Sequence, residues 1–136
     1  MKKRSKNILV LIVGLIFVNV SCTNPPTLFV YPSDHTFVLS DSTYYINNIR
    51  LDSDWGETIY EVSLNESKKG VYKIKLSSLP EEYVSSGYFD LSDTIKYGIM
   101  LHAINIENQK SFNFYSSIIT SKDTLPFPVR AFILRP

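Results

Sequence analysis

The sequence has little of what disulfide-stabilised domains, phosphate-binding loops and nucleic-acid-binding surfaces require. It contains one cysteine, so no disulfide can form within the chain. It has five glycines, which are isolated from one another, so no glycine-rich phosphate-binding loop is present. Basic residues after the first ten positions are scattered, apart from Lys68 and Lys69, and this pattern predicts no nucleic-acid-binding patch.

The N-terminus combines basic residues with an apolar run, and the single cysteine, Cys22, follows shortly afterwards. Residues 8–18 carry no polar side chain, and the four basic residues before them are Lys2, Lys3, Arg4 and Lys6. This order is typical of a secretory signal peptide. The run is too short for an uncleaved membrane anchor, since crossing the hydrocarbon core takes roughly 20 apolar residues. An ordinary signal peptide with an unmodified Cys22 remains the alternative to lipidation.

The tripeptide Val20-Ser21-Cys22 resembles the lipobox of bacterial lipoproteins, in which a small residue precedes the cysteine. Asn19 stands where the typical lipobox has leucine, and relaxed boxes of this kind resemble those of small Bacteroidota lipoproteins. The resemblance implies cleavage before Cys22 and attachment of acyl chains to it. Several acyl chains would anchor the protein durably, because a single chain gives only marginal membrane binding.

Residues 22–27 are expected to form the lipidated cysteine and a short tether. Pro25 and Pro26 keep this stretch extended. It contains no Asp or Glu, whereas the surface-export signal of some Bacteroidota lipoproteins is acidic, so we expect outer-membrane attachment facing the periplasm. Removal of residues 1–21 would lower the formal net charge from +1 by four, to −3.

Residues 28–136 are predicted to form one all-β domain. Apolar and polar side chains alternate with period two between clusters of turn residues, which is typical of half-buried strands. Outside the hairpins, strands are predicted at 28–31, 36–39, 43–51 and 129–134. One helical turn is predicted at 79–84, where Pro80 precedes two glutamates.

Two β-hairpins are predicted within this domain. The first joins 60–64 to 71–76, with Lys73 and Lys75 on the wet face, and the second joins 95–106 to 111–119. The total of about seven to nine short strands predicts a single sandwich, and periodicity does not separate an immunoglobulin-like from a transthyretin-like topology.

No catalytic residue, metal site or cofactor is predicted. His35 and His102 have no second ligand at a metal-binding spacing, and no nucleophile-elbow motif accompanies them. A loop histidine and a strand histidine with structural roles are the favoured interpretation, so we expect a non-enzymatic protein.

Trp55 is the only tryptophan and lies in the acidic turn 52–57. Its carboxylates could offer oxygen ligands to calcium, but the turn lacks the ligand spacing of an EF-hand. A polar connection with Trp55 covering the core is the favoured interpretation. The functional alternative is that Trp55 forms an exposed platform for a ligand such as a sugar ring.

Three short motifs resemble the acceptor sequence for periplasmic O-glycosylation in Bacteroidota. They consist of aspartate, a hydroxyl residue, and then an apolar residue or threonine, and their hydroxyl residues are Ser42, Thr94 and Thr124. All three fall at predicted turns, where a modified side chain is accessible. Turn formation by Asp-Ser and Asp-Thr pairs is the competing explanation.

These observations predict an envelope lipoprotein, anchored in the membrane by its lipid, whose sandwich binds a protein partner. The alternative is a carbohydrate-binding module of an outer-membrane uptake system. Partner binding predicts a long uncovered strand edge, whereas carbohydrate binding predicts exposed aromatic side chains in one plane.

Overall fold

The computed structural model describes residues 24–53, 56–88, 96–119 and 125–133. Within these ranges the chain has no helices and nine β-strands, which confirms the predicted all-β class. The strands are Thr27–Tyr31 (β1), Thr36–Leu39 (β2), Tyr44–Asp52 (β3), Thr58–Leu64 (β4), Lys73–Lys75 (β5), Tyr83–Gly87 (β6), Lys96–Asn105 (β7), Ser111–Ile119 (β8) and Phe127–Phe132 (β9).

All nine strands belong to one antiparallel sheet with the order β5-β2-β1-β9-β8-β7-β3-β4-β6. Strand β9 joins its two halves, because it pairs with β1 on one side and with β8 on the other. The sheet curls into a half-barrel in which β2 and β5 contact β3. The predicted division into the two sheets of a sandwich, immunoglobulin-like or transthyretin-like, is therefore not confirmed.

The concave side of the curled sheet holds the hydrophobic core. Strand β7 shows the pattern most clearly, because its residues alternate between buried and half-buried positions along the strand. This alternation follows from the pleat, which directs successive side chains to opposite faces. Each fully buried leucine or isoleucine contributes roughly 1.5–3 kcal/mol. The largest buried side chains are Tyr97, Phe37, Phe114, Leu28, Leu39, Ile46, Ile49, Leu51, Ile74, Leu101 and Ile118.

The second predicted hairpin is confirmed. Strands β7 and β8 pair from Lys96↔Ile119 to Ile104↔Ser111. Asn105 closes the turn, because its Oδ1 accepts hydrogen bonds from the backbone N–H groups of Glu107 and Asn108, at 2.9 and 3.1 Å. Local sequence was sufficient here because both strands and their turn are contiguous.

The first predicted hairpin is wrong in its pairing. Both segments form strands, but β4 pairs with β3 and β6, while β5 pairs with β2. Between them the chain crosses to the other end of the sheet order, and Ile46 N donates to Val71 O at 2.8 Å on the way. Alternation identified the strands, but it carries no information about which distant strand completes each ladder.

The predicted helical turn at 79–84 is also wrong at its end, because β6 begins at Tyr83. The Tyr83 hydroxyl donates to Ile46 O at 2.5 Å and accepts from Val71 N at 3.0 Å. Burial raises the pKa of this phenol, since the charged form would lose its hydration. Tyr83 therefore fastens the start of β6 to β3 and to the connection that leads into β5.

Candidate functional site

The two ends of the sheet differ in how they are protected against strand pairing. Strand β5 has three residues, and its two lysines, Lys73 and Lys75, are exposed on either side of buried Ile74. The segment just before it is covered, since Val71 O accepts a hydrogen bond from Ile46 N in β3. Shortness, lysines and partial covering are the usual protections of an edge strand.

Strand β6 lacks those protections. After buried Tyr83, residues 84–87 are exposed, and Val84 has 55% of its surface accessible. The strand contains no charged residue and no proline. Tyr88, directly after it, is 79% exposed. Among the residues that the structure describes, β4 is the only strand paired with β6.

The ladder between β4 and β6 shows which backbone groups of β6 point outward. Asn65 N donates to Glu82 O at 2.8 Å, and Tyr88 N donates to Ile59 O at 3.1 Å. Antiparallel pairs alternate between bonded and non-bonded positions. The intervening register therefore directs the N–H and C=O groups of Ser85 and Gly87 away from β4. No described strand pairs with these groups, so within the described part of the chain they form a row that another extended chain can pair with.

Gly87 sets where this edge ends. Its φ angle is +87°, and a Cβ at this position would overlap the carbonyl oxygen of Ile59. Only glycine adopts this conformation without strain and also permits the close approach of β4. The position of the outward-facing backbone groups at the end of β6 therefore depends on residue 87 being glycine.

A second feature lies on the outer, convex face of β3 and β4. Asp52 Oδ1 accepts hydrogen bonds from Arg50 Nε at 3.1 Å and from Thr58 Oγ1 at 3.2 Å, and Asp52 Oδ2 lies 3.4 Å from an Arg50 terminal nitrogen. This ion pair is partly solvent-exposed, so its contribution to stability is small. Its structural effect is to hold the Asp52 carboxylate in one orientation.

A shallow depression of about 350 Å³ lies beside this carboxylate. Its base is at Gly98, which is opposite Asp52 in β3 and opposite Ser117 in β8. Asp52 lines one side of the depression and the half-exposed ring of Tyr115 lines another. Phe132 packs against the Tyr115 ring in a T-shaped contact, with ring centroids 5.6 Å apart. The depression combines an aromatic surface with oriented polar groups, which is typical of small-molecule sites.

The two histidines occupy separate places. His35 is buried in the β1–β2 turn with its Nδ1 3.1 Å from the Tyr97 hydroxyl, and burial strongly raises the pKa of that phenol. His102 lies on β7, with Nδ1 3.2 Å from Asn47 Nδ2. Its pKa is lowered because partial burial disfavours the imidazolium. In the described ranges, no group of three or more His, Cys, Asp or Glu residues is placed to hold a metal ion.

The residues singled out from sequence are described only in part. Ser42 is exposed in the β2–β3 turn, where Asp41 Oδ1 accepts hydrogen bonds from Thr43 N at 2.9 Å and Thr43 Oγ1 at 2.7 Å. This geometry leaves the Ser42 hydroxyl accessible. Cys22, Trp55, Thr94 and Thr124 lie outside the described residues, so their predicted roles stay predictions.

Sequence reasoning missed both surfaces. The stretch Val84-Ser85-Ser86-Gly87 has a weak strand signal, and Gly98 and Tyr115 are far apart in sequence. The absence of charge from residues 83–88 was the one readable sign of an unprotected edge.

No protein-family model matches this chain, and neither a search of curated proteins nor one of solved structures finds a matching relative. Across the described ranges, no helix has the length and apolar character needed to cross a membrane.

Proposed function

We propose that this protein is a lipid-anchored envelope lipoprotein whose non-enzymatic β domain binds a protein partner by strand addition at β6. The carrying observation is the outward row of backbone groups at Ser85 and Gly87, which no charge or proline protects. Strand addition uses such groups for affinity, while neighbouring pockets provide specificity.

The chemistry of β6 favours an extended, uncharged segment as its occupant. Val84 and Ser86 project on the outer face, and Tyr88 offers an exposed aromatic ring at the end of the strand. A partner segment with small or apolar side chains would pack beside them without burying an unpaired charge. Because β6 is five residues long, the added strand would be short and its affinity modest.

The fold assignment is part of the same proposal. We take the half-barrel to be related to the small sandwiches expected from sequence, immunoglobulin-like or transthyretin-like. The contacts of β2 and β5 with β3 support this relation, because they bring the two halves of the sheet toward each other.

The anchor can be tested separately from the binding surface. Replacing Cys22 with Ser should release the domain from the membrane fraction, with the far-ultraviolet circular dichroism of a β domain retained, because the first described strand begins at Thr27. A Cys22→Ser protein that stays in the membrane fraction at the size of the parent would refute lipidation.

Site-specific photo-crosslinking in the cells that produce the protein tests strand addition. A photoreactive residue at Ser86 should crosslink to a defined segment of one envelope protein, identified by mass spectrometry. A second substitution, Ser85→Pro, should abolish that crosslink, because proline removes an outward N–H and leaves the ladder to β4 intact.

The matched control is Lys75→Pro, because the Lys75 N–H also points away from its own ladder, which is to β2. This control should leave the crosslink at Ser86 unchanged. Equal loss with both prolines, or no crosslink at Ser86 above that at Lys73, would contradict the proposed use of β6.

A further inference from the structure

The depression over Gly98 lies on the convex face and involves neither of the sheet ends. We propose that it is a binding site for a neutral saccharide, with Tyr115 and Asp52 as the two contacting side chains. This goes beyond the binding of a protein partner at β6, because it assigns a different ligand class to a different surface.

The Asp52 carboxylate has the free capacity that a sugar hydroxyl needs. Its Oδ1 already accepts two hydrogen bonds, from Arg50 and Thr58, whereas Oδ2 has one long contact at 3.4 Å. A carboxylate oxygen offers about two lone-pair sites, so Oδ2 can accept a further hydroxyl. Because Arg50 and Thr58 already hold the carboxylate in place, binding a hydroxyl costs little ordering of the protein.

The ion pair between Arg50 and Asp52 favours a neutral ligand in the depression. Asp52 is the one charged residue that lines the depression, and its ion pair with Arg50 compensates the carboxylate, so the described lining offers no cationic side chain to an anion and little free charge to a metal ion. A charged ligand would have to compete with that pair. A neutral polyhydroxy ligand can instead donate a hydroxyl to the Asp52 carboxylate and leave the ion pair in place.

The aromatic wall complements the apolar face of a sugar ring. Tyr115 is 50% exposed, and its T-shaped contact with Phe132, at an interplanar angle of 88°, restricts rotation of the ring. A fixed, half-exposed aromatic ring provides contact area at low entropic cost. Ser117, which is exposed and lies opposite Gly98 in the ladder, lines the remaining side.

Gly98 provides the space. A volume of about 350 Å³ is near the lower end of ligand pockets, which fits one or two sugar residues of a longer chain. A Cβ added at Gly98 would lie 3.8 Å from Asp52 Cβ, which is an ordinary van der Waals distance. Side chains can therefore be built into the depression without displacing the backbone.

The test uses the full chain, labelled with ¹⁵N and kept in dodecylphosphocholine, a detergent without a sugar group. It is titrated with cellotetraose, maltotetraose, xylotetraose, mannotetraose and chitotetraose while amide resonances are followed. At least one of these should shift the Gly98 and Ser117 resonances in a saturable way. If none of the five shifts these resonances at millimolar concentration, the proposal is overturned.

Variants then locate the contact. Tyr115→Ala should weaken binding by about fivefold, as expected for loss of one aromatic contact. Gly98→Val should abolish the shifts by filling the depression, and Gly98→Ala should give a smaller loss. Tyr72→Ala removes a similarly exposed tyrosine at the start of β5 and should leave the affinity within twofold of the parent.

Folding of each variant is checked by its thermal unfolding curve, and Gly98→Ala is expected to fold because its Cβ meets no short contact. Binding that survives Gly98→Val, or that falls equally with Tyr72→Ala, would overturn the assignment. Ser85→Pro should leave the sugar titration unchanged, which separates this proposal from strand addition at β6.

Discussion

Strands β5 and β6 lie at opposite ends of one sheet and present different chemistry to solvent. Strand β5 is three residues long, exposes two lysines and follows a segment bonded to β3. Strand β6 is five residues long, uncharged, and carries an outward row of backbone groups. Among the described residues of this one curled sheet, edge pairing is therefore restricted at the β5 end and left open at the β6 end.

The largest expected effect concerns the geometry that ends β6. Gly87→Ala should lower the free energy of unfolding by about 3 kcal/mol, since it adds strain at positive φ and steric overlap with Ile59 O. Urea denaturation measures this loss. Gly56→Ala is the control, because Gly56 also has positive φ, at +79°, but its Cβ would have no neighbour within 4 Å. We expect about 1 kcal/mol there, and equal losses would mean that overlap with β4 is unimportant.

The next largest effect concerns the tyrosine next to each edge strand, Tyr83 at the start of β6 and Tyr72 just before β5. Tyr83→Phe should cost about 1–3 kcal/mol, because it leaves Ile46 O and Val71 N without their hydroxyl partner. Tyr72→Phe, at the entrance to β5, removes a hydroxyl from a side chain that is 45% exposed and should change stability by less than about 0.5 kcal/mol. Guanidinium denaturation of both variants tests the difference. A near-zero cost for Tyr83→Phe would show that water replaces the lost partner.

Placing lysines on β6, or removing them from β5, should have a smaller effect on stability but should change the association of the protein with itself. Val84→Lys with Ser86→Lys places two lysines on β6, and Lys73→Ser with Lys75→Ser removes them from β5. Both pairs should change the free energy of unfolding by less than about 1 kcal/mol, because the sites are exposed. Concentration-dependent light scattering should fall for the first pair and rise for the second. The reverse ranking would show that charge does not distinguish the two edges.

The smallest effect is a pH dependence at the middle of the sheet, away from both edges. The pKa of His102 is lower in the folded protein, so the unfolded chain binds more protons below about pH 6.5. Its contribution to stability is therefore complete above that pH and is lost as the pH falls through the folded pKa. The free energy of unfolding of the parent and of His102→Gln is measured between pH 6.5 and the lower pKa of His102 in the folded protein. The variant should show a smaller dependence of this free energy on pH than the parent. An unchanged slope would show that His102 is not responsible.

The fold was predictable where the information was local. Strand β2 and strand β8 have the predicted bounds, and the β7–β8 hairpin forms as expected, because alternation and turn residues act over a few positions. The pairing of β5 with β2 was not predictable from those signals. It depends on how the whole sheet curls, and no short-range pattern records that choice.

The candidate sites were less predictable than the strands. The sequence drew attention to Trp55 and the histidines because they are rare, whereas the structure draws attention to Ser85, Gly98 and Tyr115, which are ordinary residues in particular places. Gly98 and Tyr115 become neighbours only through the β7–β8 ladder, and Asp52 joins them through β3.

By itself the sequence determined the all-β class, most strand positions and the buried faces of β7 and β8, because these follow from period-two alternation and burial of apolar area. It also supplied the predictions for Cys22, which await their own experiment. Only the tertiary structure decided that the nine described strands form one curled sheet, that β5 and β6 are the edges of this described sheet, and that Gly98 leaves a depression beside Tyr115. Those features depend on contacts between residues far apart in the chain, whose combined free energy is decided by the whole fold.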